Sequence, residues 1–139
     1  MQRSIGDINV IDIAASADLS TEDLVQGVMD WISIESPSLD ADAVNRMVDH
    51  VESEFAVVGL EIERTPGEDG WGDLIRGRAP GSARANKGIL VVSHIDTVHP
   101  IGTKDSGNPI RIEGDNLFGP GTYDMKAGAY IAYYAYKRL

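Results

Sequence analysis

Between Gly88 and Pro100 the sequence reads GILVVSHIDTVHP, and this stretch constrains the fold more than any other. Ile89, Leu90, Val91 and Val92 form an unbroken apolar run, with Gly88 before it and Ser93, His94 and Asp96 after it. A short, mostly β-branched run of this kind predicts a strand buried on both faces, as inside a parallel sheet covered by helices. In open α/β sheets, ligands and chemistry collect at the carboxyl ends of the strands. His94 and Asp96 are two positions apart, so in extended backbone both side chains lean to the same side. The Asp96 carboxylate can then take the proton of one ring nitrogen of His94 while the other nitrogen faces a metal. On the tripeptide alone, the simpler reading is a strand-end His and Asp that hydrogen-bond to solvent.

Around Asp124, thirty residues beyond His94, Gly119–Gly128 reads GPGTYDMKAG. Gly119, Pro120, Gly121 and Gly128 surround Asp124 in a turn-rich segment that opens into a helix. A carboxylate at a helix start is favoured both as a cap and by the helix dipole, so an N-cap is the plain account of Asp124. A phosphate-cradling loop is the other account, although neither the Walker pattern nor GxGxxG is present. Neither account explains why this loop follows a strand-end His-x-Asp.

The pair SHIDTVHP and FGPGTYDMKAG closely resembles the signatures of the M20 family of co-catalytic zinc peptidases. That family includes glutamate carboxypeptidases, acetylornithine deacetylase and succinyl-diaminopimelate desuccinylase. The resemblance implies that His94 ligates one zinc and that Asp124 bridges two. Asp96 falls to the catalytic machinery as the acid that orients His94. It also implies a cis peptide at Asp124-Met125, two zinc ions in the complete site (cobalt or manganese being possible substitutes), and hydrolysis of amide bonds in small peptides or N-acyl amino acids. The chemistry needs such residues, because zinc accepts imidazole nitrogen and carboxylate oxygen and a catalytic site keeps a position open for water. A general base must also move the proton of that water.

Against the family pattern, the further ligands and the catalytic Glu lie downstream in relatives, and no Glu follows Glu113 here. The other histidines are His50, expected on a solvated helix face, and His99, expected at a loop or pocket rim. The expectation is an amino-terminal portion of such an enzyme, inactive alone, with a lead-in at 1–19 and a partial catalytic domain at 20–139. The downstream strands and the lid or dimerisation domain would be absent, and the full-length protein is a possible homodimer. The fold class expected is α/β, with helices flanking a mixed or parallel sheet. Two other functions stay open: a non-catalytic metal-binding or scaffold module, and an α/β domain with an anion-binding loop.

Composition narrows the alternatives. With no cysteine among 139 residues, disulfides and thiolate zinc sites are excluded, which leaves His and carboxylate as ligands. Residues 1–60 carry 12 acidic and 2 basic side chains, whereas residues 61–139 carry 10 of each. That acidic excess argues against nucleic-acid and anionic-membrane partners, both of which want a basic footprint. No apolar run approaches the roughly 18 residues of a membrane span, and the first residues lack the order of a secretory signal, so a cytoplasmic protein is expected.

Local patterns place the remaining elements. Ser20 and Asp23 resemble a capping box ahead of Leu24, Val28, Trp31 and Ile32, predicting a helix to about Ile34 that stops before Pro37. Val44, Met47, Val48, Val51, Phe55 and Val58 form the stripe of a second helix over Asp40–Val58, with Gly59 as its stop. Period-two alternation from Leu60 to Thr65 predicts a half-exposed strand, paired across a turn with Asp73–Arg78. A polar loop follows at Ala79–Lys87. After the His94 loop come a short strand at Ile110–Ile112, a turn at Glu113–Asn116, and a tyrosine-rich helix over Met125–Leu139 that packs on the sheet.

Overall fold

The computed structural model describes residues 19–81 and 88–138. The lead-in expected at 1–19, apart from Leu19, and most of the loop at 79–87 lie outside the described residues. Helix α1, Thr21–Ser33, starts where Ser20 Oγ accepts from the Asp23 amide at 3.1 Å, and it ends at Ile34 in extended backbone. Helix α2, Ala41–Val57, is capped by Asp40, whose carboxylate accepts from the Ala43 amide at 2.9 Å. Gly59, at φ 74°, stops it by letting the Leu60 amide turn back onto the Phe55 carbonyl.

Strands β1, Glu61–Thr65, and β2, Leu74–Arg78, pair antiparallel with Ile62 opposite Gly77. Arg64 fastens this hairpin to α2 by reaching Asp49, Glu52 and Asp73 at 2.6, 2.9 and 2.6 Å. Strands β3, Arg111–Glu113, and β4, Asn116–Phe118, form a second hairpin through the expected turn at Gly114. Helix α3, Ala127–Lys137, closes the described chain.

The core lies where the three helices meet. Val28, Trp31 and Ile32 of α1, Met47 and Val51 of α2, and Ala129, Tyr130, Tyr133 and Tyr134 of α3 form one buried cluster. Trp31 meets Tyr130 edge-on at 5.3 Å and lies nearly parallel to Tyr133 at 6.2 Å, while its indole N–H donates to Glu54 at 2.6 Å. The polar edge of the largest core side chain is thereby satisfied, as burial demands.

The class is therefore α/β, but three local expectations need correction. Ile89, Leu90, Val91 and Val92 make no ladder with any described strand, and they are 95, 82, 62 and 78 % exposed. A strand buried on both faces needs paired neighbours and covering layers. Among the described residues both sheets are self-contained two-stranded hairpins, and the helices turn their apolar stripes on one another. The last helix begins at Ala127, because Asp124 and Met125 have non-helical backbone and Asp124 caps nothing with its side chain. His50 is half-buried with its Nε2 shielded from solvent, so it is not a solvated helix-face residue.

Gly27 sets how closely α1 and α3 approach. A Cβ there would fall 1.9 Å from the Tyr130 hydroxyl oxygen and 2.0 Å from its ring. Alanine is worth about 1 kcal/mol over glycine inside an exposed helix, but overpacking a filled core costs roughly 1–3 kcal/mol. With a rigid buried ring as the obstacle, the second effect wins. Gly27→Ala is expected to lower the urea midpoint of unfolding, and an unchanged or raised midpoint would show that α3 can move away freely.

Candidate metal-binding site

The end of the apolar run is held by the bend Ser36–Ser38. The Thr97 amide donates to the Ser36 carbonyl at 2.8 Å and the Ser38 amide to the Thr97 carbonyl at 3.0 Å, forming a single parallel bridge between Pro37 and Thr97. Fully buried Ser36 adds a hydroxyl bond to the Ile95 carbonyl at 2.7 Å. These contacts fix the backbone on both sides of Asp96 and, one residue earlier, aim His94.

The second segment arrives through Gly121, at φ 74°, where a Cβ would fall 2.7 Å from the Thr97 methyl. Only glycine allows that approach in that conformation. A wide turn over Thr122–Lys126 follows, closed by the Lys126 amide donating to the Gly121 carbonyl at 2.8 Å, and Asp124-Met125 is a cis peptide. Fully buried Lys126 anchors the far side, its ammonium donating to the Ile34 carbonyl at 2.5 Å and, at 3.4 Å, to that of Trp31. It thus satisfies carbonyls that the end of α1 leaves open. Burial lowers its pKa to about 8, against the opposing pull of the Asp96 and Glu35 charges.

The outcome is a junction of residues thirty positions apart. His94 Nε2 lies 3.0 Å from Asp124 Oδ1. On the other side of the ring, Nδ1 lies 3.1 Å from the Asp96 carbonyl and 3.3 Å from its carboxylate Oδ1. The carbonyl is thus the nearer partner, where the spacing pointed to the carboxylate. A carbonyl only accepts, so this bond places a proton on Nδ1 and turns Nε2 toward Asp124. Burial alone would lower the imidazole pKa, but Asp124, the Asp96 carbonyl and both carboxylate charges together raise it. The groups face a cleft of about 290 Å³, which His99, Asn108 and Tyr123 also line.

One imidazole nitrogen and one carboxylate converging on an open cleft form a donor pair that suits zinc. The pair falls short of a full ligand set, and the described residues contain no group of three or more His, Cys, Asp or Glu placed to hold a metal. An anion in the same loop would meet the Asp124 carboxylate, exposed over 77 % of its side-chain surface, which disfavours a phosphate cradle.

Lys126 is not singled out by the sequence, and Glu35 and Ser38 are legible there only as members of the bend around Pro37. Ser38 Oγ donates to Asp96 Oδ2 at 2.5 Å. Glu35 accepts from the amides of Gly102 and Lys104 at 2.9 and 3.0 Å, tying the bend to the loop beyond His99. Burial alone would raise its pKa; those amides and the Lys104 charge outweigh burial and hold it below the ordinary value. The sequence ESPS marks a turn around Pro37, and nothing in it announces which side chains reach residues some sixty or more positions away.

No family model matches the chain. It is similar to carboxypeptidase G2 of Pseudomonas sp. (strain RS-16), at 32% identity over 109 residues, or 78% of this chain. The same residues make up 26% of that relative, so the chain spans about a quarter of its length. This likeness supports the M20-type relationship that the two motifs carry. No helix among the described residues is long and apolar enough to cross a membrane.

Because the Glu35 pKa is lower folded than unfolded, its contribution to stability is complete above the unfolded value, near 4.5, and disappears as pH falls through the folded one. Glu35→Gln should therefore destabilise the protein at pH 7 while flattening its loss of stability in acid. Urea midpoints between pH 3 and 7 test this, and parallel curves for the two proteins would contradict it.

Proposed function

We propose that this chain supplies part of the active site of a metal-dependent hydrolase of the peptidase kind, with His94 and Asp124 as zinc ligands and Asp96 as the acid that orients His94. The observation that carries the reading is the 3.0 Å approach of His94 Nε2 to Asp124 Oδ1 across thirty residues of chain. The similarity to a carboxypeptidase supports the reaction class.

In this reading His94 would serve one of two zinc ions and Asp124 both, with cobalt or manganese as replacements. Zinc, when bound, supplies Lewis-acid polarisation of the scissile amide carbonyl. The chain's own residues prepare that role. The Asp96 carbonyl and carboxylate hold a proton of His94 on Nδ1, so Nε2 is the nitrogen that would exchange its hydrogen bond to Asp124 for a metal. Asp124 presents a carboxylate exposed over 77 % of its side-chain surface, with Oδ1 against His94 Nε2. The Ser36–Thr97 clamp and the Lys126 anchor keep the two donors from drifting apart. The substrate class is small peptides or N-acyl amino acids, bound along the cleft beside His99, Asn108 and Tyr123. The general base and remaining ligands of the working enzyme come from other residues.

Calorimetric titration with zinc tests the assignment on the chain itself. Binding is expected in the unaltered protein and should weaken by about 100-fold or more, roughly 2.7 kcal/mol, in His94→Ala and in Asp124→Ala. Wild-type affinity in either variant would overturn it. In a complete enzyme carrying this segment, either substitution should lower kcat/KM by roughly 1000-fold, about 4 kcal/mol. Hydrolysis that persists after chelation would point to another chemistry.

A further inference from the structure

The Asp96 carboxylate has its two oxygens divided between two partners. Oδ1 faces His94 Nδ1 at 3.3 Å, while Oδ2 accepts from Ser38 Oγ at 2.5 Å. We infer that Ser38 is a positioning residue, whose hydroxyl locks the rotamer of Asp96 so that the other carboxylate oxygen stays turned toward the imidazole of His94. This rests on the metal-site reading for its effect on zinc, while the orientation of Asp96 stands apart from it.

The geometry favours the carboxylate as the acceptor. Ser38 has a single hydroxyl proton and two acceptors within reach, Asp96 Oδ2 and, at 3.2 Å, the Thr97 carbonyl. The charged and nearer oxygen takes the proton, since bonds to an ionised acceptor are about twice as strong as neutral ones. The Thr97 carbonyl does not go unpaired, because it already accepts from the Ser38 amide at 3.0 Å. That amide bond in turn fixes the Ser38 backbone, so the hydroxyl starts from a clamped position. The Lys126 charge also attracts Asp96 without a hydrogen bond to it, but the Asp96 side chain remains 35 % exposed, and among the described residues the hydrogen bond it accepts from another part of the chain is that of Ser38. Freed from Ser38, a half-exposed aspartate has other staggered rotamers open to it, and some of them turn the carboxylate away from His94. The Asp96 carbonyl would still hold the Nδ1 proton, so what Ser38 controls is the second, charged partner of the ring. A charge in that position raises the basicity of a ligating imidazole, and loss of such a partner typically costs 10- to 100-fold in metal affinity.

Two measurements on Ser38→Ala and Ser38→Thr test the inference. Three-bond couplings report the χ1 rotamer of Asp96 without any metal. One rotamer is expected in the unaltered protein and in Ser38→Thr, which keeps the hydroxyl, and averaging among rotamers in Ser38→Ala. Zinc titration should show a roughly 10- to 100-fold loss of affinity in Ser38→Ala, recovered in Ser38→Thr. A single Asp96 rotamer in Ser38→Ala would overturn the inference, as would averaging in Ser38→Thr, because the shape of the bend and not the hydroxyl would then be responsible. If the unaltered chain takes up no zinc, the metal-site reading fails by itself and the couplings still decide the role of Ser38.

Discussion

The site depends on a clamp between two loops. The bend Ser36–Ser38 and the segment Ile95–Thr97 exchange backbone hydrogen bonds in both directions, and buried Ser36 adds its hydroxyl. A functional residue at the end of a strand is ordinarily aimed by the ladder beside it. Here the apolar run before His94 has no ladder partner among the described residues, so the clamp takes over that task. Its strength comes from its surroundings. Ser36 and Thr97 are buried, and a buried polar group left without a partner costs about 1–3 kcal/mol. Each bond in the clamp is therefore hard to open without opening the rest.

The loop that brings Asp124 depends on the same helix end from the opposite direction. Lys126 passes its ammonium under the last carbonyls of α1, and Gly121 lets the loop backbone come against Thr97. Burying an ammonium is costly, and its lowered pKa of about 8 expresses that cost. Its partners are carbonyls that the helix leaves open in any case, so one contact resolves two problems. The three-helix core behind it, built on Trp31 and the tyrosines of α3, gives both loops a common rigid base. Helix packing, helix capping and the meeting of His94 with Asp124 form one continuous chain of cause.

Sequence and structure agree where the signal is local and repeats. The stripe from Val44 to Val58, the Ser20 and Asp40 starts, Gly59 as a stop and the alternation at Leu60–Thr65 each rest on a periodicity or a cap contained in a few residues. The run at Ile89–Val92 is exposed and unpaired among the described residues, because burial depends on what lies alongside, which the run does not encode. The approach of His94 to Asp124 could be anticipated only from the paired motifs, since thirty intervening residues carry no geometric information by themselves. Lys126 and Ser38 were illegible for another reason. A lysine in a turn reads as solvated and a serine beside proline as a bend, and only packing reveals that one is fully buried and the other grips a carboxylate.

The central claim is that the imidazole and the carboxylate meet on a metal. A crystal structure of the protein equilibrated with zinc, with anomalous data collected across the zinc edge, tests it most directly. The account predicts an anomalous peak within about 2.0–2.2 Å of both His94 Nε2 and an Asp124 carboxylate oxygen. Zinc bound elsewhere, with these two groups still hydrogen-bonded to each other, would contradict it.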